Sequence, residues 1–338
     1  MMNVIGIESS CDETSVAIIS DGKLTANLIA SQDFHVKYGG VVPELSSRAH
    51  LQIVLPLVKD ALAVSNLALN NIDLICATAG PGLIGALLVG LTFAKGLAYS
   101  LKKPFVPVNH IEGHVYSGFL MPDKPEFPLL AIVVSGGHTL LLLVKNFNEI
   151  QKLGSTVDDA AGEAFDKVAK MLGLGYPGGP KIQSAAELGN KETVNFPVAD
   201  LDNPYNFSFS GLKTSVLRYI QKNFKDKIIP DNERNNISAS FQDAVIRALT
   251  RNAERALRKF DIKSISLVGG VAANKPLRDA LTKLAENHNK KIVIPDMEFC
   301  GDNAAMIAFR GLKLYESGKR FELNYNPFPG IPENHFTS

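Results

Sequence analysis

At 338 residues the chain is long enough for two cored units, since single cores stop growing near ~250–300 residues. A hydrophobic content of 46%, 20% charged residues and a net charge of +1 fit an ordinary soluble globular protein and exclude a global basic field aimed at nucleic acid, leaving only local patches open to that role. Cys11, Cys76 and Cys300 stand far apart with no Cys-x-x-Cys spacing, which excludes a zinc cage and a disulfide framework and fits a reducing cytosol.

The first strand is expected to begin by Asn3, leaving no room for a signal peptide. Val4-Ile-Gly-Ile7 and Ser15-Val-Ala-Ile-Ile-Ser20 are apolar runs joined by Glu8-Ser-Ser-Cys-Asp-Glu-Thr14, a hairpin with an unusually polar connection. On its own that connection reads equally as a solvated turn or as part of a site. Gly39-Gly-Val-Val-Pro-Glu44 is a loop before an amphipathic helix from about Ser46 to Val64. Ile72 to Thr78 is a buried strand entering Ala79-Gly-Pro-Gly82, followed by an apolar helix from Leu83 to Leu101. Thr92, Lys95 and several glycines interrupt that helix, which suits a protein core better than a membrane span.

Pro104-Phe-Val-Pro-Val108 is a short strand, and Asn109 is a good N-cap for a helix carrying His110 and His114. Histidines four apart project from one helix face, a chelating pair for zinc, iron or a similar ion. By itself the pattern is weak, because a catalytic metal usually takes three protein ligands. In a His-Glu-x-x-His protease the glutamate serves as general base. Here it is Glu112, which at roughly 100° per residue points about 200° away from His110, off the metal face.

Leu129 to Val134 is a buried strand entering Ser135-Gly-Gly-His-Thr139 and leaving through Leu140 to Val144, a second hairpin whose small-residue turn suits an anion-binding nest. Asp158 to Leu172 reads as a helix, Gly173 to Pro180 as a flexible loop, and 190–235 as polar and irregular, with Phe207 to Lys213 leading into a helix. A helix at about Ser238–Phe260 precedes the buried strand Lys263–Val268, which enters Gly269-Gly-Val-Ala-Ala-Asn274. A strand at Lys291–Pro295, a last helix to about Ser317 and a tail rich in Pro and Asn close the chain. The order repeats: a hairpin begins near residues 3 and 129, and a strand runs through a glycine turn into a helix at Gly80 and at Gly270. The longer second interval places an insertion at about 150–240. Two similar α/β halves with phosphate-sized turns predict a nucleotide cleft between them.

Ten motifs then stand in one order. They are Glu8–Thr14, Gly39–Glu44, Gly80-Pro-Gly-Leu-Ile-Gly85, His110-x-x-x-His114, Ser135–Thr139, Asp159-Ala-Ala-Gly-Glu-Ala-Phe-Asp-Lys167, Tyr176-Pro-Gly-Gly-Pro180, Phe207-Ser-Phe-Ser-Gly-Leu-Lys213, Gly269–Asn274 and Gly301-Asp-Asn303. Together they resemble the tRNA threonylcarbamoyladenosine transferase family, formerly called glycoprotein endopeptidase, from residue 4 to about 315. The resemblance implies an α/β fold of the actin, Hsp70 and sugar-kinase class, with duplicated subdomains and an interlobe cleft. The lobes are expected at 1–112 with 303–338, and at 113–302. It implies transfer of the threonylcarbamoyl group from threonylcarbamoyl-AMP to N6 of adenosine 37, in tRNAs reading codons that begin with adenine.

The same resemblance implies His110, His114 and Asp302 as metal ligands, with Fe2+ favoured and Zn2+ the alternative. It implies adenylate contacts from Val133, Val134, Ser135, Gly136, Gly137, Asp166, Gly179 and Asn274, and places Asp12 and Glu13 at the reaction centre. Asp302 alone reads most cheaply as an N-cap, and Asp166 alone as a surface carboxylate paired with lysine. Valine at 133, where archaeal and eukaryotic relatives tend to carry tyrosine, and His138 point to the bacterial branch; glutamine at 183, aspartate in many relatives, is given no substrate contact. Implied partners are tRNA, an inactive relative of the same fold docking through the apolar-rich N-terminal lobe, and a small P-loop ATPase, all in the cytoplasm and away from membrane. A metalloprotease and an ATPase or sugar kinase are the competing readings. Lys213, Arg218, Lys222, Lys225 and Lys227 form the densest basic run, which reads as a solvated face.

Overall fold

A computed structural model describes residues 2–32, 35, 40–224, 228–331, 335 and 336. The chain divides into two units, Met1–Lys124 with Pro295–Phe336, and Pro125–Ile294. The breaks therefore fall at 124/125 and 294/295 rather than at 112/113 and 302/303. A cut after Glu112 would divide a continuous helix, His110–Ser117, that packs along the helix Ala304–Glu316 of the same unit.

In the first unit the polar alternation of the N-terminal runs becomes a meander of β1 (Asn3–Glu8), β2 (Glu13–Ser20) and β3 (Lys23–Ser31). β3 is too polar to stand out in sequence, and it forms because Asp21-Gly22 takes positive φ and turns the chain back onto β2. α1 (Pro43–Val64) leads to β4 (Leu74–Gly80), α2 (Ile84–Leu101), β5 (Phe105–Asn109) and α3 (His110–Ser117). The sheet order is β3-β2-β1-β4-β5, with β1 antiparallel to β2 and parallel to β4. Alternate faces of the buried strands feed two cores. Ile5, Ile7, Val16 and Ile18 pack with α1 and α2, while Val4, Ile19, Cys76 and Val108 pack under a later helix that carries Met306, Ile307 and Ala308. By length and composition α2 could cross a membrane, yet its Ala86, Leu87, Gly90, Leu91, Ala94 and Ala98 are buried in this unit and it packs on β4.

In the second unit β6 (Leu129–Val134), β7 (Thr139–Asn146) and β8 (Glu149–Ser155) form the matching meander. α4 (Ala161–Met171), α5 (Gly178–Ala186), α6 (Ser210–Asn223) and the long α7 (Asp231–Lys259) follow, where the first unit has α1 as its one long helix before the next strand. β9 (Ser264–Val268), α8 (Lys275–Asn287) and β10 (Lys291–Val293) complete it, in the order β10-β9-β6-β7-β8. Read from the meander edge, the two sheets have the same order and the same strand directions, so the repeat in the sequence is a structural duplication. α7 begins at Asp231 rather than Ser238, and Arg247 and Arg255 donate to the carbonyls of Phe196 and Pro204, stapling the irregular insert to it. The chain then returns to the first unit through α9 (Met297–Cys300) and α10 (Ala304–Glu316).

Candidate functional site

β5 is buried along its whole length and ends on Asn109, whose Oδ1 accepts from the backbone N–H of Ile111 (2.8 Å) and of Glu112 (3.2 Å). That cap starts α3 abruptly and sets its rotation. His110 and His114 then stack along one face, edge to face, with ring centroids 4.7 Å apart. α10 is capped by Asn303, whose Oδ1 accepts from Met306 N–H at 3.1 Å, and not by Asp302. Asp302 is thereby released from the cap and its Oδ1 lies 3.0 Å from His114 Nε2 and 3.4 Å from His110 Nε2. One ligand atom from each of the three side chains lies within 4.8 Å of the others.

Behind His110 stands Glu8, fully buried at the end of β1. Its Oε2 is 3.1 Å from His110 Nδ1 and accepts from Thr78 Oγ1, and its Oε1 accepts from Ser10 N–H. A carboxylate on Nδ1 fixes the tautomer that turns Nε2 toward Asp302, the support that metal-binding imidazoles ordinarily have. His114 Nδ1 is buried with no hydrogen-bond partner, so Nε2 is its engaged nitrogen too. The Glu8–Asp12 connection is far from a solvated turn: Ser9 and Ser10 are also buried, and His50 Nε2 and Ser46 Oγ reach the Cys11 carbonyl at 2.9 and 2.5 Å.

Charge in this pocket is lopsided. Burial opposes ionisation of Glu8 and Asp302, but the His110 cation outweighs it, so both carboxyls are held below their usual range. Burial likewise opposes the His110 cation, and Asp302 and Glu8 outweigh that, raising it well above the ordinary imidazole value. Glu13 is pushed up to about 9 by burial, then by Asp302 and Asp12, so it keeps its proton at neutral pH. Protons thus neutralise a pocket of carboxylates. Two imidazoles and a carboxylate, with a carboxylate support behind, are the donor set of an open divalent-metal site, so the residues fit such an ion.

Glu112 faces away from this pocket. Its Oε2 accepts from Arg310 Nε at 2.6 Å and its Oε1 lies 2.8 Å from His335 Nε2, so it is committed elsewhere and supplies no general base.

The remaining predicted residues lie in the second unit. Val133 and Val134 are interior to β6, paired with Leu140 and Thr139, and fully buried. The reachable part of that turn is Ser135 to Gly137, closed by Ser135 N–H to the His138 carbonyl at 2.8 Å. Its glycines divide by role. A Cβ on Gly162 or Gly269 would meet backbone of Ser135 or Val134, so those residues let neighbouring chain pack against the turn. A Cβ on Gly136, Gly137, Gly179 or Gly270 would meet open space. Asp166 accepts from Gly178 N–H at 2.7 Å and pairs with no lysine among the described residues, with its carboxyl raised mainly by burial. Lys167 pairs with Asp159 and Glu163 instead. Asn274 caps α8 through Leu277 N–H (3.0 Å) and donates to Gln242 Oε1 (2.8 Å), while Gln183 accepts from Lys275 N–H (3.0 Å). The first unit's turn between β4 and α2, the counterpart of Gly269–Asn274, is different. A Cβ on Gly80 would strike the Phe328 carbonyl, and Phe328 N–H and the Pro329 carbonyl bond to Ala79 and Gly82. The C-terminal tail fills that turn.

The family model for tRNA N6-adenosine threonylcarbamoyltransferase matches residues 23–309. The transferase of that name from Thermosipho africanus is 53% identical over 98% of this chain and 99% of its own, and that from Symbiobacterium thermophilum 47% identical over 97% and 96%. The chain belongs to this family. It is a transferase that modifies tRNA at N6 of adenosine. Among solved structures, HypF of T. kodakarensis superposes over 94% of this chain and 48% of its own, with TM-score 0.65 and 18% identity. Component A of the Acidaminococcus fermentans (R)-2-hydroxyglutaryl-CoA dehydratase does so over 94% and 100%, with TM-score 0.56 and 17% identity. At that identity they speak for the fold alone, the actin, Hsp70 and sugar-kinase class of α/β protein.

The transferase's sequence hid three supporting residues. Glu8, Ser10 and His50 carry no ligand spacing, and the one available signal was a carboxylate ending an otherwise apolar strand. Gly39 of the Gly39–Glu44 motif and Lys225 and Lys227 of the basic run lie outside the described residues. Within that run Lys213 pairs with Asp159 at 2.6 Å, while Arg218 and Lys222 are exposed on α6.

Proposed function

We propose that the transferase draws the threonylcarbamoyl group from threonylcarbamoyl-AMP and places it on N6 of adenosine 37, in tRNAs reading codons that begin with adenine, with AMP as the leaving group. The observation that carries the metal part of this reading is the convergence of His110, His114 and Asp302, which are distant in sequence, with Glu8 behind His110. These three side chains would hold one divalent ion, Fe2+ favoured by resemblance and Zn2+ the alternative. Such an ion supplies a Lewis acid for the carbonyl and a counter-charge for the departing phosphate. The exocyclic amine of adenine is a poor nucleophile, so positioning matters more than a strong base. Glu13, neutral at physiological pH, is suited to donate a hydrogen bond, and Asp12 lies beside it.

For the adenylate, the open glycines Gly136, Gly137 and Gly179 allow backbone N–H groups to approach a phosphate, with Ser135 closing the turn. Asp166 would accept from ribose hydroxyls, and Asn274 stands where α8 opens and N–H groups favour an anion. The filled Gly80 turn supports the second unit as the nucleotide holder. For the partners, α1 and α2 present an apolar groove lined by Leu51, Leu55, Leu88, Phe93 and Leu97, suited to an inactive relative of the same fold. A small P-loop ATPase and a cytoplasmic location rest on family resemblance. Three free cysteines agree with a reducing compartment.

Asp302→Ala tests the reading. Asp302 is not a cap, so the variant is expected to fold, to lose stoichiometric metal in elemental analysis of anaerobically prepared protein, and to lose tRNA modification together with it. Normal modification by this variant would overturn the metal assignment.

A further inference from the structure

Glu112 sits between the two histidines on α3 but on its opposite side, and it is where three parts of the first unit meet. Its Oε2 accepts from both Nε and Nη2 of Arg310, each at 2.6 Å, and its Oε1 is 2.8 Å from Nε2 of His335 in the C-terminal tail. Arg310 is buried on α10, and its guanidinium also lies 4.5 Å from the ring centroid of Tyr116, back on α3. α10 begins immediately after Asp302-Asn303. The two helices joined by this cluster are therefore the two that deliver every ligand of the His110–His114–Asp302 triad. Gly113 brings them close, since a Cβ there would lie 3.0 Å from Ile307 and 3.1 Å from Met306. The tail is also held by Phe328 N–H on the Ala79 carbonyl and by buried Phe336.

From this we infer that Glu112, Arg310 and His335 are positioning residues that set the spacing of the His110–His114–Asp302 triad, and that the C-terminal tail is a working part of that support. The inference rests on the metal reading above. An imidazole nitrogen rides ~6 Å from the helix axis, so turning α3 by about 10° moves it about 1 Å. Coordination bonds tolerate ~0.2 Å. Packing of small apolar side chains leaves such rotations open, whereas a guanidinium held by two N–H groups on one carboxylate oxygen, and by an aromatic face on the same helix, does not.

The test is Co2+ titration of the metal-free, full-length protein, followed by the ligand-field absorption of the ion, with hydrogen exchange of the α3 amides alongside. Glu112→Gln and His335→Ala are expected to weaken Co2+ binding by ~10-fold or more and to speed α3 exchange. His335→Gln, which restores an N–H near the same place, is expected to recover most of the affinity. Ile220→Val, a core change in the second unit, lowers thermal stability and leaves Co2+ binding unchanged. Should Glu112→Gln fail to fold, His335→Ala decides, because the tail residue is partly exposed. Wild-type affinity and spectrum in His335→Ala with a normally binding parent would overturn this inference alone. A parent that takes up no Co2+ overturns the metal reading and this inference with it.

Discussion

At the scale of single residues, the site depends on which oxygen or nitrogen is already spoken for. Asn303 takes the cap of α10, so Asp302 reaches the histidines; Glu8 takes Nδ1 of His110, so Nε2 faces the same place. Glu8 makes no contact that a metal ligand would, yet its loss should register at the metal. Glu8→Gln retains the shape and an oxygen to accept from Thr78 Oγ1 but removes the charge that orients the imidazole. Metal affinity is expected to fall by roughly 10- to 100-fold, measured by competition with a chelator, with far-UV dichroism unchanged. An unchanged affinity would reduce Glu8 to a space-filling role. The same reasoning explains why Glu112, midway between the histidines in sequence but on the opposite helix face, serves no protease chemistry. Its oxygens are occupied by Arg310 and His335.

At the scale of elements, the ligands come from the start of one helix and the turn before another, and both are placed by strands. β5 runs into α3 through Asn109, and α10 lies across β1 where Gly6 has no side chain. A Cβ on Gly6 would come within 2.5 Å of the Ala304 carbonyl and 2.7 Å of Ala308 N, both backbone atoms that cannot rotate aside. Gly6→Ala should therefore push the first turn of α10 off the sheet, costing about 1–3 kcal/mol in a denaturant titration and displacing Asp302. The outcome to check is a joint loss of stability and metal. A stable variant that lost only metal would mean the helix shifts more cheaply than this packing implies.

At the scale of the whole molecule, a duplicated α/β plan has been put to two uses. The glycine turn after β9 stays open at Gly270, and its counterpart after β4, at Gly80, is filled by the chain's own tail. The tail also brings His335 to Glu112, whose carboxyl is held at about 2, because Arg310 and His335 outweigh the burial that would raise it. A depressed carboxylate stabilises the fold above its unfolded value of about 4.5 and ceases to do so as pH falls toward about 2. The stability difference between the parent and Glu112→Gln is accordingly expected to shrink by about 3 kcal/mol across that window. Urea titrations at pH steps between about 5 and about 2 would read this directly. A difference that stays constant would show that the pair stabilises nothing through charge.

Strand and helix identity, the duplication and the family were legible in the chain because they rest on local periodicity and on short motifs in a fixed order. The apolar runs at 4–7, 72–78, 129–134 and 263–268 became β1, β4, β6 and β9, and His110 and His114 share a face because helical geometry requires it. β3 and β8 were not legible, since edge strands with polar faces carry no such signal. Nor were the partners of the two histidines. Asp302 entered as a ligand candidate only through the family resemblance; that it meets His114, that Glu8 stands behind His110, and that a tail residue closes on Glu112 are contacts between segments a hundred or more residues apart. Which of several polar atoms meets which is decided only when packing has brought the segments together, because every one of those side chains has a satisfactory local alternative in the unfolded chain.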